Sequence, residues 1–161
     1  MQPTFRTATR DDTALVLGFV KQLADYEHMT QDVVATEELY EEWLFDKGAA
    51  EVLFVCEDEH EVGFALYYRT FSTFLGRGGI HLEDLFVKPE FRGKGYGTAL
   101  ICRLAAIAVS EGCGRLEWDC LDWNEPSLAF YRNLGAERLN EWVGLRVSGK
   151  ALEELAGRDS L

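Results

Sequence analysis

The chain has 161 residues and a formal net charge of −12, from 16 Lys and Arg against 28 Asp and Glu. This length suffices for one domain with a sizeable core, and the 47% hydrophobic content excludes a disordered chain. The acidic balance disfavours nucleic-acid binding, which depends on basic residues that neutralise phosphates. It favours attraction of a cationic small molecule, although solubility alone also accounts for such a charge.

The cysteine and histidine content predicts neither a disulfide scaffold nor a metal site. The four cysteines include no Cys-x-x-Cys pair, and the three histidines lie far apart without a second ligand at metal-binding spacing. The first residues show no secretory pattern, and the longest apolar runs fall short of the roughly 20 residues of a membrane span. We therefore expect a reduced, cytoplasmic protein with no metal and no membrane partner.

The pattern of apolar residues predicts a single domain over residues 1–161. Apolar residues spaced by four, such as Leu15, Phe19 and Leu23, indicate helices, and unbroken apolar runs indicate buried strands. In chain order we expect a strand at 5–8, helices at 11–26 and 36–45, strands at 52–56, 62–68 and 80–87, a helix at 96–111, a strand at 115–120, a helix at 127–134, a strand at 142–147 and a last helix at 150–156. An antiparallel hairpin followed by a strand–helix–strand crossover makes the fold class α+β (mixed α/β), around one central sheet.

The most informative segment is the glycine-punctuated link between the strand at 80–87 and the helix at 96–111. Arg92 precedes three glycines, at 93, 95 and 97. The first turn of a helix leaves backbone N–H groups without acceptors, and the helix dipole favours an anion there. Glycines let a pyrophosphate approach the backbone closely. The segment therefore predicts a phosphate cradle; a tight turn that only requires glycine is the alternative.

Two common phosphate-binding motifs do not fit this segment. A P-loop ends in Gly-Lys followed by Ser or Thr, whereas here Gly95 is followed by Tyr96, Gly97 and Thr98. A dinucleotide fingerprint needs glycines in one-three-six spacing and usually begins a domain, whereas this segment follows several other elements.

The spacing Arg92-x-x-Gly95-x-Gly97 resembles the acyl-CoA pyrophosphate loop of the GNAT superfamily of N-acetyltransferases. Further stretches resemble, in the same order, the spermidine/spermine (diamine) N1-acetyltransferases: LADYE at 23–27, GFALYY at 63–68, LEDLFV at 82–87, WNEPS at 123–127, FY at 130–131 and GA at 135–136. The likeness runs from about Phe5 to Ala156. It implies a GNAT-type fold, with a central mixed, mostly antiparallel sheet flanked by helices. It also implies acetyl-CoA-dependent transfer of an acetyl group to the primary amine of a small cationic acceptor, a polyamine or diamine.

The resemblance also implies a role for each matching position. The pantetheine arm of acetyl-CoA is expected to contact Leu85, Phe86 and Val87. Its pyrophosphate is expected to contact Arg92, Gly93, Lys94, Gly95, Tyr96, Gly97 and Thr98. Its thiol end is expected to lie near Asn124, Glu125, Pro126 and Ser127. The amine is expected to contact Tyr26, Glu27, Glu83 and Asp84. Tyr131 matches the family tyrosine assigned as general acid.

Amine chemistry explains why these residue types are needed. An alkyl ammonium with a pKa like that of lysine, about 10.4, is almost wholly protonated at pH 7 and cannot attack a thioester. Carboxylates hold the ammonium, and one of them, which we assign to Glu83, takes its proton directly or through water. Adjacent strand residues point to opposite faces, so Glu83 and Asp84 both face the amine only if a β-bulge intervenes. Tyr131 is expected to protonate the departing thiolate; the alternative is a core tyrosine.

Three features depart from the animal polyamine enzymes that the chain resembles. His81 stands where those enzymes commonly have tyrosine, and it either accepts a proton or is structural. The turn at 57–61 is shorter. Residues 121–123 look like the thialysine-acetylating branch, whereas Pro126 and Ser127 look like the polyamine branch, so the sequence leaves the identity of the amine open.

Two other functions remain compatible with the sequence. One is the same reaction on thialysine or a lysine-like amino acid, whose carboxylate needs a basic partner in the pocket. The other is a non-catalytic acyl-CoA-binding module, which would not require Glu83 or Tyr131. The resemblance further implies a homodimer paired through C-terminal strands, and the apolar side chains of the 142–147 strand add surface for such pairing.

Overall fold

The fold is built on a five-stranded sheet of strand order β1-β2-β3-β4-β5. The computed structural model describes residues 3–159. The strands are β1 (Thr4–Thr7), β2 (Glu51–Glu57), β3 (His60–Ser72), β4 (Arg77–Val87) and β5 (Leu116–Trp118). Neighbouring strands are antiparallel except β4 and β5, which are parallel. The predicted fold class, with a mixed and mostly antiparallel sheet, is confirmed.

Five helices accompany the sheet. They are α1 (Thr13–Tyr26), α2 (Glu37–Tyr40, continued by a π-helical turn at Glu41–Asp46), α3 (Tyr96–Ser110), α4 (Glu125–Asn133) and α5 (Gly149–Ala156). Asp12 closes a 3₁₀ turn ahead of α1, because its carboxylate accepts a hydrogen bond from the Thr9 N–H at 2.7 Å. Helix α4 begins at Glu125, two residues earlier than predicted, because Asn124 caps it. The Asn124 side chain accepts a hydrogen bond from the Ser127 N–H at 3.4 Å.

The chain divides between Asp119 and Cys120 into two compact units, which are described separately. The first unit contains the sheet and the helices α1 to α3, and the second contains α4 and α5. A single acetyltransferase domain over residues 1–161 stays a prediction.

Aromatic side chains form the core on one side of the sheet, which we call the α1 face. Phe19 of α1 has its ring centroid 5.2 Å from that of Phe64 in β3 and 5.8 Å from that of Phe54 in β2, and all three are fully buried. Alternate residues of a strand share a face, so Leu66 and Phe86 join the same cluster. Burial of these large apolar side chains fixes the end of α1 against the sheet.

A β-bulge interrupts the pairing of β3 with β4. Leu66 pairs with Asp84, whereas the next residue, Tyr67, pairs with Leu82, so Glu83 is an extra residue on β4. Because Asp84 lies opposite Leu66 and two residues before Phe86, it is on the α1 face. Adjacent strand residues can share a face only where a β-bulge intervenes, and this bulge lies at Glu83 and Asp84.

The parallel pairing of β4 with β5 is short. It joins Ile80–Leu82 to Leu116–Trp118 and goes no further. Within residues 3–119, no strand pairs with this edge of β4 from Glu83 to Val87. Apart from the Val87 carbonyl, which accepts from Arg92, backbone groups along that edge have no strand partner and suit an extended ligand that carries amides.

The predicted strand at 142–147 is wrong. In the second unit this segment is neither helix nor strand, and Trp142 and Leu145 are 75% and 94% exposed. A strand needs a neighbour that accepts and donates its backbone hydrogen bonds, and the alternation of apolar residues does not supply one.

Candidate active site

The glycine loop ahead of α3 has the backbone geometry of an anion-binding site. Gly93 and Gly95 are left-handed, with φ of 77° and 87°, and Gly95 is the N-cap of α3. The first intrahelical bond runs from the Ala99 N–H to the Gly95 carbonyl at 2.9 Å. The N–H groups of residues 96–98 therefore have no acceptor within the helix, and the dipole of this 15-residue helix favours an anion beside them.

The surroundings of this loop fit the pyrophosphate and pantetheine of acetyl-CoA. A Cβ built on Gly93 or Gly95 would meet no heavy atom within 4 Å, so the backbone is open to a ligand. The open edge of β4 at Leu85–Val87 lies next in the chain. Residues 92–98 thus come together as predicted, although their roles in binding stay predictions.

Arg92 links this loop to the end of α1. Its Nε donates to the Val87 carbonyl at 2.9 Å, and its guanidinium carbon lies 4.9 Å from the ring centroid of Tyr26 and 5.2 Å from that of Phe86. Stacking of a guanidinium on aromatic faces is favourable. A basic group therefore lies beside Tyr26, one of the predicted amine-binding residues.

The bulge places two carboxylates of different solvation next to each other. The Glu83 side chain is 54% exposed, and its Oε2 lies 3.6 Å from Nε2 of His81. Asp84 is more enclosed, and burial, together with the negative charges of Glu83 and Glu27, raises its pKa from 3.8 to about 7. The structure thus brings together three of the predicted amine-binding residues, and Asp84 is the one whose charge is least solvated.

Glu27 and Tyr40 complete the surroundings of Asp84. Glu27 caps the C-terminus of α1, and burial raises its pKa. Burial and the charge of Asp84 raise the pKa of Tyr40, at the end of α2, to about 12. Sequence reasoning missed Tyr40, because an aromatic residue on a short helix is usually part of the core.

His81 occupies the rim of this acidic cluster. Its ring stacks on Tyr68, the residue opposite in β3, with centroids 4.9 Å apart. Its Nε2 is 4.0 Å from the fully exposed carboxylate of Asp119 as well as 3.6 Å from that of Glu83. The stacking on Tyr68 supports a structural role for His81. The two nearby carboxylates are also compatible with the alternative role, in which His81 accepts a proton.

The remaining predicted residues belong to the second unit. Asn124 is 5% exposed, and Asn124–Ser127 form the capped first turn of α4. Tyr131 lies on the same helix, is half-buried, and has its ring centroid 5.2 Å from that of Phe130. The predicted roles of these residues toward acetyl-CoA stay predictions.

Residues 3–159 contain no group of three or more His, Cys, Asp or Glu residues arranged to hold a metal ion. None of the helices in this part of the chain has the length and apolar character needed to cross a bilayer.

Comparison with known proteins agrees with this geometry. The model of the acetyltransferase (GNAT) family matches residues 19–136. The chain is 36% identical to the thialysine N-epsilon-acetyltransferase of Bos taurus, over 95% of this chain and 96% of that protein. It is 30% identical to the spermidine/spermine N(1)-acetyltransferase-like protein 1 of Homo sapiens, over 93% of this chain but 23% of that longer protein.

Among solved structures, an integron cassette protein from the mobile metagenome of V. cholerae superposes with a TM-score of 0.81 at 28% identity, covering 97% of this chain and 98% of that one. The mixed sheet and the left-handed glycine loop ahead of α3 agree with the acyl-transfer class that these comparisons define. The chain belongs to the GNAT family of acetyltransferases, whose members take the acetyl group from acetyl-CoA. The predicted family and enzyme class are confirmed.

Proposed function

We propose that this enzyme transfers an acetyl group from acetyl-CoA to the terminal primary amine of a small aliphatic cation. The observation that carries the proposal is the acidic cluster of Glu27, Glu83 and Asp84 on the α1 face, near the Arg92–Thr98 loop in the chain. Carboxylates attract an ammonium group, and the chain's net charge of −12 adds a long-range attraction of the same sign.

The carboxylates prepare the amine for attack. An ammonium of pKa about 10.4 carries no lone pair at neutral pH, so a base must remove a proton before a C–N bond can form. Sequence reasoning assigns this step to Glu83. Asp84 is the better-matched base, because a carboxylate whose pKa is about 7 accepts protons more strongly and is still half ionised near neutral pH.

The remaining residues act on the co-substrate. Acetyl-CoA, when bound, supplies an activated acetyl group as a thioester. We assign Leu85–Val87 to pairing with its amides, Arg92–Thr98 to its phosphates and Asn124–Ser127 to its thiol end. Tyr131 is assigned the donation of a proton to the thiolate that leaves. These assignments rest on the family likeness and on the local geometry of each segment.

The acceptor has two candidates within this class. A diamine or polyamine suits the cluster of carboxylates, which can hold more than one ammonium. A lysine-like amino acid such as thialysine is supported by the relatives of that specificity and by Arg92, whose guanidinium beside Tyr26 can pair with a substrate carboxylate.

Steady-state kinetics on a matched panel tests the proposal. Purified protein is assayed with acetyl-CoA and spermidine, putrescine, thialysine, lysine and N-butylamine, with release of free thiol as the signal. We expect turnover of aliphatic primary amines, and the ratio of kcat/KM between putrescine and lysine separates the two candidates. Binding of acetyl-CoA with no turnover of any amine would contradict the proposal and favour an acyl-CoA sensor.

A further inference from the structure

One carboxylate ties the glycine loop to the turn between β2 and β3. Glu57, the last residue of β2, accepts a hydrogen bond from the Tyr96 hydroxyl at 2.7 Å. It also pairs with Lys94, whose Nζ lies 3.0 and 3.2 Å from its two oxygens. Lys94 and Tyr96 flank Gly95, so Glu57 holds the loop on both sides of the left-handed N-cap of α3.

Both contacts depend on the negative charge of Glu57. The hydrogen bond from Tyr96 and the contact with Lys94 lower the pKa of Glu57, so this carboxyl group is ionised at neutral pH. The bond to Glu57 raises the pKa of Tyr96 to about 12, so the hydroxyl keeps its proton and donates it. Such charge-assisted bonds are shorter and stronger than neutral ones.

We propose that Glu57 is a positioning residue for acetyl-CoA, because it holds Lys94 and Tyr96 and thereby orders the loop that presents the N–H groups of residues 96–98. Glycines lose more conformational freedom on ordering than other residues. Without Glu57, ordering the three glycines of this segment would cost binding free energy. The inference rests on the proposed function, in which this loop binds the pyrophosphate.

If Glu57 instead hindered coenzyme A binding, its removal would have the opposite effect. A carboxylate near a phosphate site repels the ligand, and its pairing with Lys94 withdraws a positive charge from the phosphates. If repulsion dominated, neutralising Glu57 would tighten coenzyme A binding. If ordering dominates, as proposed, neutralising it weakens binding.

Glu57→Gln tests the sign of the effect. The substitution keeps the size of the side chain but removes its charge and its pairing with Lys94. Asp58→Asn is the matched control, since it removes a neighbouring negative charge that also acts on Tyr96 through space, without removing a hydrogen bond or ion pair to Tyr96 or Lys94. Asp58 has φ of 49°, a conformation that Asn tolerates. We expect the Kd for coenzyme A, measured by calorimetry, to rise about 3- to 10-fold in Glu57→Gln and to stay unchanged in Asp58→Asn.

Further measurements distinguish a loss of order in the glycine loop from a general destabilisation of the fold. Amide hydrogen exchange of a peptide covering 92–99, measured without ligand, should be faster in Glu57→Gln than in the wild type. Tyr96→Phe removes one hydroxyl and should weaken coenzyme A binding in the same direction, which keeps the test valid if Glu57→Gln fails to fold. The KM for the amine should change in neither variant.

The outcomes test the proposed function and the role of Glu57 separately. A wild-type protein that binds no coenzyme A would overturn the proposed function and this inference with it. A wild type that binds, together with a Glu57→Gln variant that binds equally or more tightly, would overturn the role of Glu57 alone.

Discussion

At the scale of single residues, the central observation is that two adjacent carboxylates have different surroundings. Glu83 is half-exposed and lies beside His81, whereas Asp84 is enclosed near Glu27 and Tyr40. Burial therefore raises the pKa of Asp84 toward neutrality. The two residues lie side by side in the sequence, and only their solvation distinguishes the candidate base from a residue that holds the ammonium.

The pH profiles of two variants decide which carboxylate is the base. For the wild type, kcat/KM for the amine should rise through an inflection near pH 7. Asp84→Asn should lose this inflection. Glu83→Gln should keep it at a lower pH, because the charge of Glu83 is one cause of the raised pKa. If Glu83→Gln lost the inflection and Asp84→Asn kept it, Glu83 would be the base, as predicted from the sequence.

Asp84 should also make stability depend on pH. Its folded pKa of about 7 lies above the model-compound value of 3.8, so between these values the folded state binds more protons than the unfolded state. The contribution of Asp84 to the free energy of unfolding therefore falls as the pH rises from about 4 to about 7. Asp84→Asn should have a Tm several degrees above the wild type at pH 8, and the gap should shrink at pH 5. Asp32→Asn, at an exposed position, is the control and should melt at the same temperature as the wild type.

Tyr131→Phe tests the predicted general acid. The substitution removes one hydroxyl and leaves the ring contact with Phe130 intact. General-acid catalysis typically contributes about 10²- to 10⁴-fold, so kcat should fall within that range while the KM for the amine changes little. A variant with wild-type kcat, under conditions where chemistry limits turnover, would exclude this role for Tyr131.

At the scale of elements, the junction between β4 and α3 carries both predicted ligand contacts. The bulge at Glu83 turns two acidic residues toward the α1 face, and a few residues later the left-handed Gly95 starts α3. Between them, from Glu83 to Val87, this edge of β4 pairs with no other strand of residues 3–159, and its Val87 carbonyl accepts from Arg92. One continuous segment therefore contains both the residues proposed to contact the amine and those proposed to contact the co-substrate.

Gly95→Ala should weaken this junction without introducing a clash. An added Cβ meets nothing within 4 Å, but φ of 87° is unfavourable for alanine by about 1 kcal/mol or more. We expect a severalfold rise in the KM for acetyl-CoA and little change in the KM for the amine. Gly18→Ala, at an equally open position within α1, is the control and should slightly raise Tm with no effect on either KM.

At the scale of the whole molecule, the exposed C-terminal segment supports the predicted homodimer. Trp142, Val143 and Leu145 are all more than 70% exposed, which is more apolar surface than one chain segment usually presents to water. Light scattering at micromolar concentration should give twice the mass of one chain. Leu145→Glu should shift the distribution toward the monomer, whereas Glu141→Gln, a polar exchange in the same segment, should not. A monomeric wild type would contradict the dimer.

The strands β2 to β4, the glycine loop and the family could be predicted from the sequence, because they depend on local features. These features are unbroken apolar runs for the strands and glycines at positions where φ is positive for the loop. The lengths of elements were less predictable, since α4 begins with its Asn124 cap and β5 ends where its pairing with β4 ends. Three features depend on contacts between residues that are distant in the chain, and could not be predicted. The bulge that aligns Glu83 with Asp84 depends on the register of β4 against β3. The raised pKa of Asp84 depends on burial, on the charge of the adjacent Glu83 and on that of Glu27, which is distant in the chain. The predicted strand at 142–147 did not form, because apolar alternation favours a strand only where another strand is present to pair with it.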